Sequence, residues 1–154
     1  MIRILKQLRA DQQGAAVIEM AFVAPLLAAV LVGMVDLSGA YSKKLQLEQA
    51  AQRTIEKAQQ TVVDQDSGFL ATLKVEAASA AGVPVTQVTV DWWLECNGVR
   101  QTLYSVVCPN GTTYARYVTV DVWDNYTPTI NARFAGSNAD GSFTLHGKSG
   151  LRTQ

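Results

Sequence analysis

The chain has 154 residues, with 13 basic against 13 acidic side chains and a formal net charge of zero. That balance excludes the clustered cationic surface that grips nucleic-acid phosphates. One histidine and two cysteines exclude a zinc site built on several Cys and His ligands, and any mechanism that needs two histidines.

The hydrophobic share is 48 % but mean hydropathy is only +0.07, so the apolar residues must be unevenly placed. Residues 1–14 carry Arg3, Lys6 and Arg9 against Asp11. Residues 15–35, AAVIEMAFVAPLLAAVLVGMV, carry one charge, Glu19, and one proline, Pro25. At ~1.5 Å per residue a helix of this length spans roughly 31 Å, the thickness of a bilayer's hydrocarbon core. The cationic flank precedes the span, so the positive-inside bias puts the N-terminus in the cytoplasm and everything after Asp36 outside. A secretory signal peptide shares the cationic-then-apolar order. Its apolar region is usually only ~7–15 residues, however, and LSGAYSKKLQLEQAAQ after the span continues as a helix rather than as a mature N-terminus.

A lone carboxylate inside a span is costly and calls for a named partner. Cleavage between Gly14 and Ala15 would supply one. The new ammonium on Ala15 and the carboxylate of Glu19 stand four residues apart on one helical face, and the pair can form within a chain or between chains. The competing reading is that Glu19 snorkels to the cytoplasmic interface, since it is only the fifth residue of the span.

The segment from Gln13 through Gly14, Ala15 and Glu19 to Pro25 and Leu27 resembles the processing site and anchor of TadE-like minor pilins, pseudopilins of the tight-adherence branch of type IV pilus machinery. The shared pattern is a short basic leader, a glycine, a glutamate five residues later and a proline in mid-span. Asp36, Tyr41 and a following helix rich in Gln, Ala and Arg also match over roughly residues 9–60. Met20 departs from it, standing where the family often has an aromatic residue.

The resemblance implies cleavage after Gly14 by a prepilin peptidase, an assembly role for Glu19, and an inner-membrane anchor with a periplasmic head. It further implies other minor and major pilin subunits and the inner-membrane assembly platform as partners, and a part in pilus-mediated surface attachment. The expected division is a basic leader over 1–14, a transmembrane and assembly helix over 15–35, a periplasmic extension over 36–62, and an α+β head over 63–154.

Past the span, Leu37, Tyr41 and Leu45 recur every four residues, and Leu47, Ala51, Ile55, Ala58 and Val62 continue on a helical period. Lys43, Lys44, Glu48, Gln52, Arg53 and Lys57 are assigned to the opposite, solvent face. This predicts an amphipathic rod whose stripe is covered by the following domain. Asp64 to Gly68 breaks the helix and offers N-caps for a second one, with Leu70, Leu73 and Ala77 inward and Gly82 then Pro84 closing it.

Strict alternation follows. Val88, Val90, Trp92 and Leu94 oppose Thr89, Asp91, Trp93 and Glu95; Val118, Val120 and Val122 oppose Thr119 and Asp121; Phe143 and Leu145 oppose Ser142, Thr144 and His146. These predict half-buried antiparallel strands. The fold class is therefore α+β, helices over one face of an antiparallel sheet, as in type IV pilins. Gly136 to Gly141 is the expected mobile loop.

Cys96 and Cys108 fall on the side of the membrane where disulfides persist, which favours a bridge. Geometry objects. A tight Asn97-Gly98 turn followed by one straight strand to residue 107 would separate the thiols by about 30 Å, so a bridge requires residues 97–107 to fold back as a loop.

No cofactor or metal is expected. His146 has no cysteine or serine motif beside it, and neither a nucleophile elbow, a paired-carboxylate pattern nor a Gly-rich phosphate loop is present. Asn110-Gly111-Thr112 and Asn125-Tyr126-Thr127 are given turn or strand roles. Trp92, Trp93 and Trp123 form either sheet core or an aromatic binding face. Two function classes follow. One is a non-enzymatic minor pilin processed after Gly14; the other is an uncleaved, signal-anchored periplasmic module that binds a ligand on its aromatic sheet face.

Overall fold

The computed structural model describes residues 12–60, 67–130, 133 and 136–152. Helix α1 is Gln12–Gln60 and helix α2 is Ser67–Ala81. A short 3-10 turn, Val85–Gln87, leads into strands β1 (Val88–Cys96), β2 (Val99–Arg100), β3 (Tyr114–Tyr126) and β4 (Phe143–Arg152). The elements are those of an α+β, pilin-like fold: a long N-terminal apolar helix, a short second helix and a four-stranded antiparallel sheet. Residues 1–11 of the basic leader, the helix end drawn to Val62 and the capping residues Asp64 to Asp66 lie outside the described residues.

Two compact units divide the chain, Met1–Gly39 and Ala40–Gln154. In the first, the α1 side chains are apolar and open, from Val17 (69 % exposed) and Phe22 (77 %) to Met34 and Val35. Among the described residues, one helix is long and apolar enough to cross a membrane, with a mean hydropathy of 2.3 over its most apolar window.

The second unit is built on the alternation of its strands. The sheet order is β2-β1-β3-β4, every pair antiparallel. Val88, Val90, Val118, Val120 and Val122 point to one face, where they meet Leu47, Ala50, Ala51, Ile55 and Ala58 of α1 and Leu73, Ala77, Ala78 and Ala81 of α2. Alanine on the helices lets their backbones approach a valine-covered sheet closely. The nearest approach is at Gly147, where an added Cβ would overlap the backbone of Leu47 and Glu48. Thr54, fully buried on the same helix face, satisfies its hydroxyl by donating to the Ala50 carbonyl at 2.8 Å.

Helix α2 ends as expected. Gly82 sits at φ +67°, its N–H bonds the Ser79 carbonyl, and the Val83 N–H bonds the Ala78 carbonyl, the two bonds of a Schellman motif. Gln46 of α1 donates its side-chain amide to the Ala81 carbonyl at 3.1 Å, which ties the two helices where α2 leaves carbonyls unpaired.

Three expectations are corrected. The buried stripe of α1 does not include Leu37, Tyr41 and Leu45, which are 72, 61 and 37 % exposed. At 100° per residue, Leu45 is turned about 120° from Ala51, whereas Ala50 and Thr54 fall on the covered side. Lys43, assigned to the solvent face, is instead three-quarters buried and pairs with Asp124 of β3 at 2.8 Å. The loop expected to be mobile is pinned: the Asn138 N–H donates to the Ser142 carbonyl, the Gly141 N–H donates to the Asn138 carbonyl, and Asn138 Nδ2 donates to Ser142 Oγ and Thr144 Oγ1.

Candidate processing segment and head surface

Gly14, Ala15 and Glu19 all belong to α1, which begins at Gln12. Gly14 is exposed, and nothing lies within 4 Å of where its Cβ would be. Glu19 is exposed among exposed apolar neighbours, Val17, Ile18 and Met20. A helix places Ala15 and Glu19 one turn apart on one face, the spacing an ammonium–carboxylate pair requires. Pro25 is accommodated inside the helix, where it removes one backbone donor.

In the second unit Cys96 and Cys108 form a disulfide, with Cα atoms 5.7 Å apart. The Asn97-Gly98 turn and the bridge, which a straight returning strand would make incompatible, are both present. Asn97 (φ 50°) and Gly98 (φ 78°) both take positive φ, the type I′ geometry of a two-residue hairpin. Cys96 pairs with Val99, and Glu95 with Arg100. The returning strand then stops after two residues. The chain folds back through residues 101–113 and delivers Cys108 beside Cys96, so the straight-strand premise fails while the turn stands. Asn97 fastens the loop's far end, its Oδ1 accepting from the Thr113 N–H (3.0 Å) and hydroxyl (3.1 Å).

The tryptophans divide between the two faces. Trp92, on the helix face, stacks on Tyr104 of the bridged loop at 4.5 Å. Trp93, on the open face, stacks on Tyr117 of β3 at 5.1 Å, while the Arg100 guanidinium lies 4.7 Å from its ring centre. The Trp93 indole N–H donates to Glu95 (2.8 Å), and Arg100 reaches both oxygens of Asp91 (2.9 and 3.2 Å). The two stacked rings therefore spend their surfaces on each other and on arginine. Trp123 is half-buried in β3.

Farther along the open face, Asp121 holds His146 Nδ1 and Lys148 Nζ, each at 3.0 Å. This histidine is a hydrogen-bond partner of Asp121 at the surface of a strand. Among the described residues no group of three or more His, Cys, Asp or Glu side chains is placed to hold a metal ion.

Residues 14–55 match the family model described as TadE-like protein. The match takes in a little over a quarter of the chain and begins at Gly14. No curated protein and no solved structure matches the sequence.

Proposed function

We propose that the protein is a non-enzymatic minor pilin of a tight-adherence pilus, cut between Gly14 and Ala15 by a prepilin peptidase and assembled through its N-terminal helix. The observation that carries this reading is a TadE-like segment starting at Gly14 on an exposed apolar helix interrupted by a single carboxylate, Glu19. An apolar helix without covering side chains needs lipid or other helices around it, and a pilus subunit uses both in turn.

In this reading the helix crosses the inner membrane with its N-terminus cytoplasmic, and the disulfide-bonded unit stands in the periplasm. The partners are other minor and major pilins and the inner-membrane assembly platform, and the outcome is surface attachment. N-terminal sequencing of the membrane-extracted protein tests it: Ala15 as first residue is expected, and Met1 would favour an uncleaved signal anchor instead.

The rival, a ligand-binding aromatic sheet face, is less well supported. Trp93 is engaged by Tyr117 and Arg100, and a sugar or aromatic ligand would have to displace one of them.

A further inference from the structure

The chain contains two Asn-Gly pairs, Asn97-Gly98 and Asn110-Gly111, and the fold treats them differently. Both lie exposed in turns, and both glycines take positive φ, 78° and 82°. An Asn-Gly pair carries a reactivity of its own. The glycine nitrogen, with no side chain beside it, can reach the amide carbon of the asparagine and close a five-membered ring. How readily it does so depends on how freely that amide turns.

Asn97 is held. Its Oδ1 accepts from the Thr113 N–H and hydroxyl at 3.0 and 3.1 Å, and its own N–H donates to the Thr113 carbonyl at 2.8 Å. The turn is closed on both sides by the β1–β2 ladder, with Cys96 opposite Val99. To swing its amide carbon onto the Gly98 nitrogen, Asn97 must release both bonds to Oδ1. Each bond released adds its net worth to the barrier.

Asn110 is not held. Among the described residues no hydrogen bond restrains its side chain. It sits in the turn Pro109–Thr112, which closes without it: the Thr112 N–H (3.2 Å) and hydroxyl (2.6 Å) both donate to the Pro109 carbonyl. Nothing lies within 4 Å of where a Cβ on Gly111 would stand. Beside the turn lies an open hollow of about 350 Å³ whose lining includes Asn110, Gly111, Tyr114 and Arg116. It gives the amide room to turn and admits water.

We propose that Asn110 is a self-modifying site, which loses ammonia spontaneously and becomes aspartate or isoaspartate while Asn97 is spared. The Gly111 nitrogen gives its proton to solvent hydroxide and bonds to Cγ of Asn110. The Cγ–Nδ2 bond breaks, and Nδ2 takes a proton from water and leaves as ammonia, giving a succinimide. Water then opens the ring at either carbonyl. Opening at Cγ breaks the new N–Cγ bond and leaves aspartate in an ordinary main chain. Opening at the backbone carbonyl breaks the original peptide bond and leaves isoaspartate, joined to Gly111 through Cγ. Nothing is oxidised or reduced, and water is the one co-reactant.

Either product adds a carboxylate to a chain of zero net charge, in a hollow shared with Arg116. Isoaspartate also lengthens the Pro109–Thr112 turn by one methylene. The tip of the bridged loop thus changes its charge and shape with the age of the molecule. The change does not depend on cleavage at Gly14.

The test uses full-length, disulfide-bonded protein in detergent, kept warm at mildly alkaline pH and sampled over time. Trypsin cuts after Lys74, Arg100 and Arg116, so the two pairs fall in separate peptides, 75–100 and 101–116. Mass spectrometry with fragmentation reads the replacement of amide by acid at each asparagine. Asn110 is expected to convert about ten-fold faster than Asn97, the factor by which one net hydrogen bond raises a barrier. Its rate should rise with pH, because the Gly111 nitrogen must lose a proton. In the reduced chain in denaturant the Thr113 bonds are gone and the two rates should converge. Asn110→Gln, which demands a six-membered ring, should all but stop acid formation in peptide 101–116 and leave 75–100 unchanged. An Asn110 that stays an amide in the folded protein overturns the proposal. So does an Asn97 that converts as fast or faster there, or acid that still forms in 101–116 of Asn110→Gln. A difference between the sites that persists undiminished in denaturant overturns it too, since neighbouring residues and not the fold would then set the order.

Discussion

Two glycines show how differently one residue type works in this chain. At Gly147 a Cβ would run into the main chain of α1 at Leu47 and Glu48, and a packed helix backbone does not yield as a side chain would. Gly147→Ala is therefore expected to push α1 off the sheet and cost about 1–3 kcal/mol, the range for overpacked cores. Gly150→Ala, which meets the methyl of Thr119 at 2.8 Å, should cost less; pulse proteolysis in detergent measures both. Gly14 has open space around it, so Gly14→Trp should leave the fold intact and block cleavage, because the peptidase must approach the backbone there. Recovery of Ala15 as the first residue of that variant would contradict the processing assignment. Asp140 illustrates a third kind of residue. The Ser142 hydroxyl and N–H both donate to it (2.7 and 3.0 Å), and these bonds hold its carboxyl below the usual carboxylate range. A lowered folded-state pKa stabilises the turn above the ordinary carboxylate value and ceases to as pH falls through the folded value. Amide shifts of Asn138 and Ser142 should thus hold steady down to about pH 4 and move below it, and in Asp140→Asn the acid-range movement should vanish.

At the scale of elements, the bridged loop carries its own prediction. Cys96 and Cys108 are twelve positions apart, and a loop of this size contributes roughly 3 kcal/mol in the chain-entropy model. The Cys96→Ser, Cys108→Ser double variant should lose about that much. It should also lose the Trp92–Tyr104 stack, visible as a weaker near-ultraviolet tryptophan signal, while the Asn97-Gly98 hairpin persists. Thiol labelling of the denatured, unreduced wild type should find no free cysteine; two labelled thiols would contradict the bridge. The strands were readable because period-two alternation places valine on one face whatever the strand order, and Gly82 with Pro84 announced the end of α2 by their backbone preferences alone. The stripe on α1 was misread at Tyr41 and Leu45 because spacing by four drifts about 40° per step around a helix. Nothing local says where along the helix the sheet begins to cover it. Lys43 was assigned to solvent because its partner Asp124 is eighty-one positions away, a distance over which composition carries no information. The two-residue β2 was hidden by the assumption that a strand, once begun, continues.

At the scale of the whole molecule the question is what one carboxylate contributes to an otherwise apolar helix. The glycine–glutamate spacing was legible in the sequence because a charge inside a span is conspicuous, whereas the order of the strands in the sheet rests on long-range pairing and left no local trace. Glu19→Ala removes a charge from the span, so insertion into the membrane should become easier by about 2–3 kcal/mol on insertion scales. A purely anchoring helix would tolerate the change or benefit from it. If Glu19 instead compensates the ammonium that cleavage creates on Ala15, its loss leaves that cation unpaired at a helix–helix contact of low dielectric, where an uncompensated charge costs several kcal/mol. The expected outcome is a strain with normal protein level and normal cleavage after Gly14 but few pili, and with partner subunits no longer recovered on a tagged copy. Glu19→Gln should behave like Glu19→Ala, since it keeps the shape and loses the charge, while Glu19→Asp should retain part of the function if its shorter arm still reaches the amine. Wild-type piliation and partner recovery in Glu19→Ala would mean that the carboxylate only snorkels, and the assembly role proposed for it would fall.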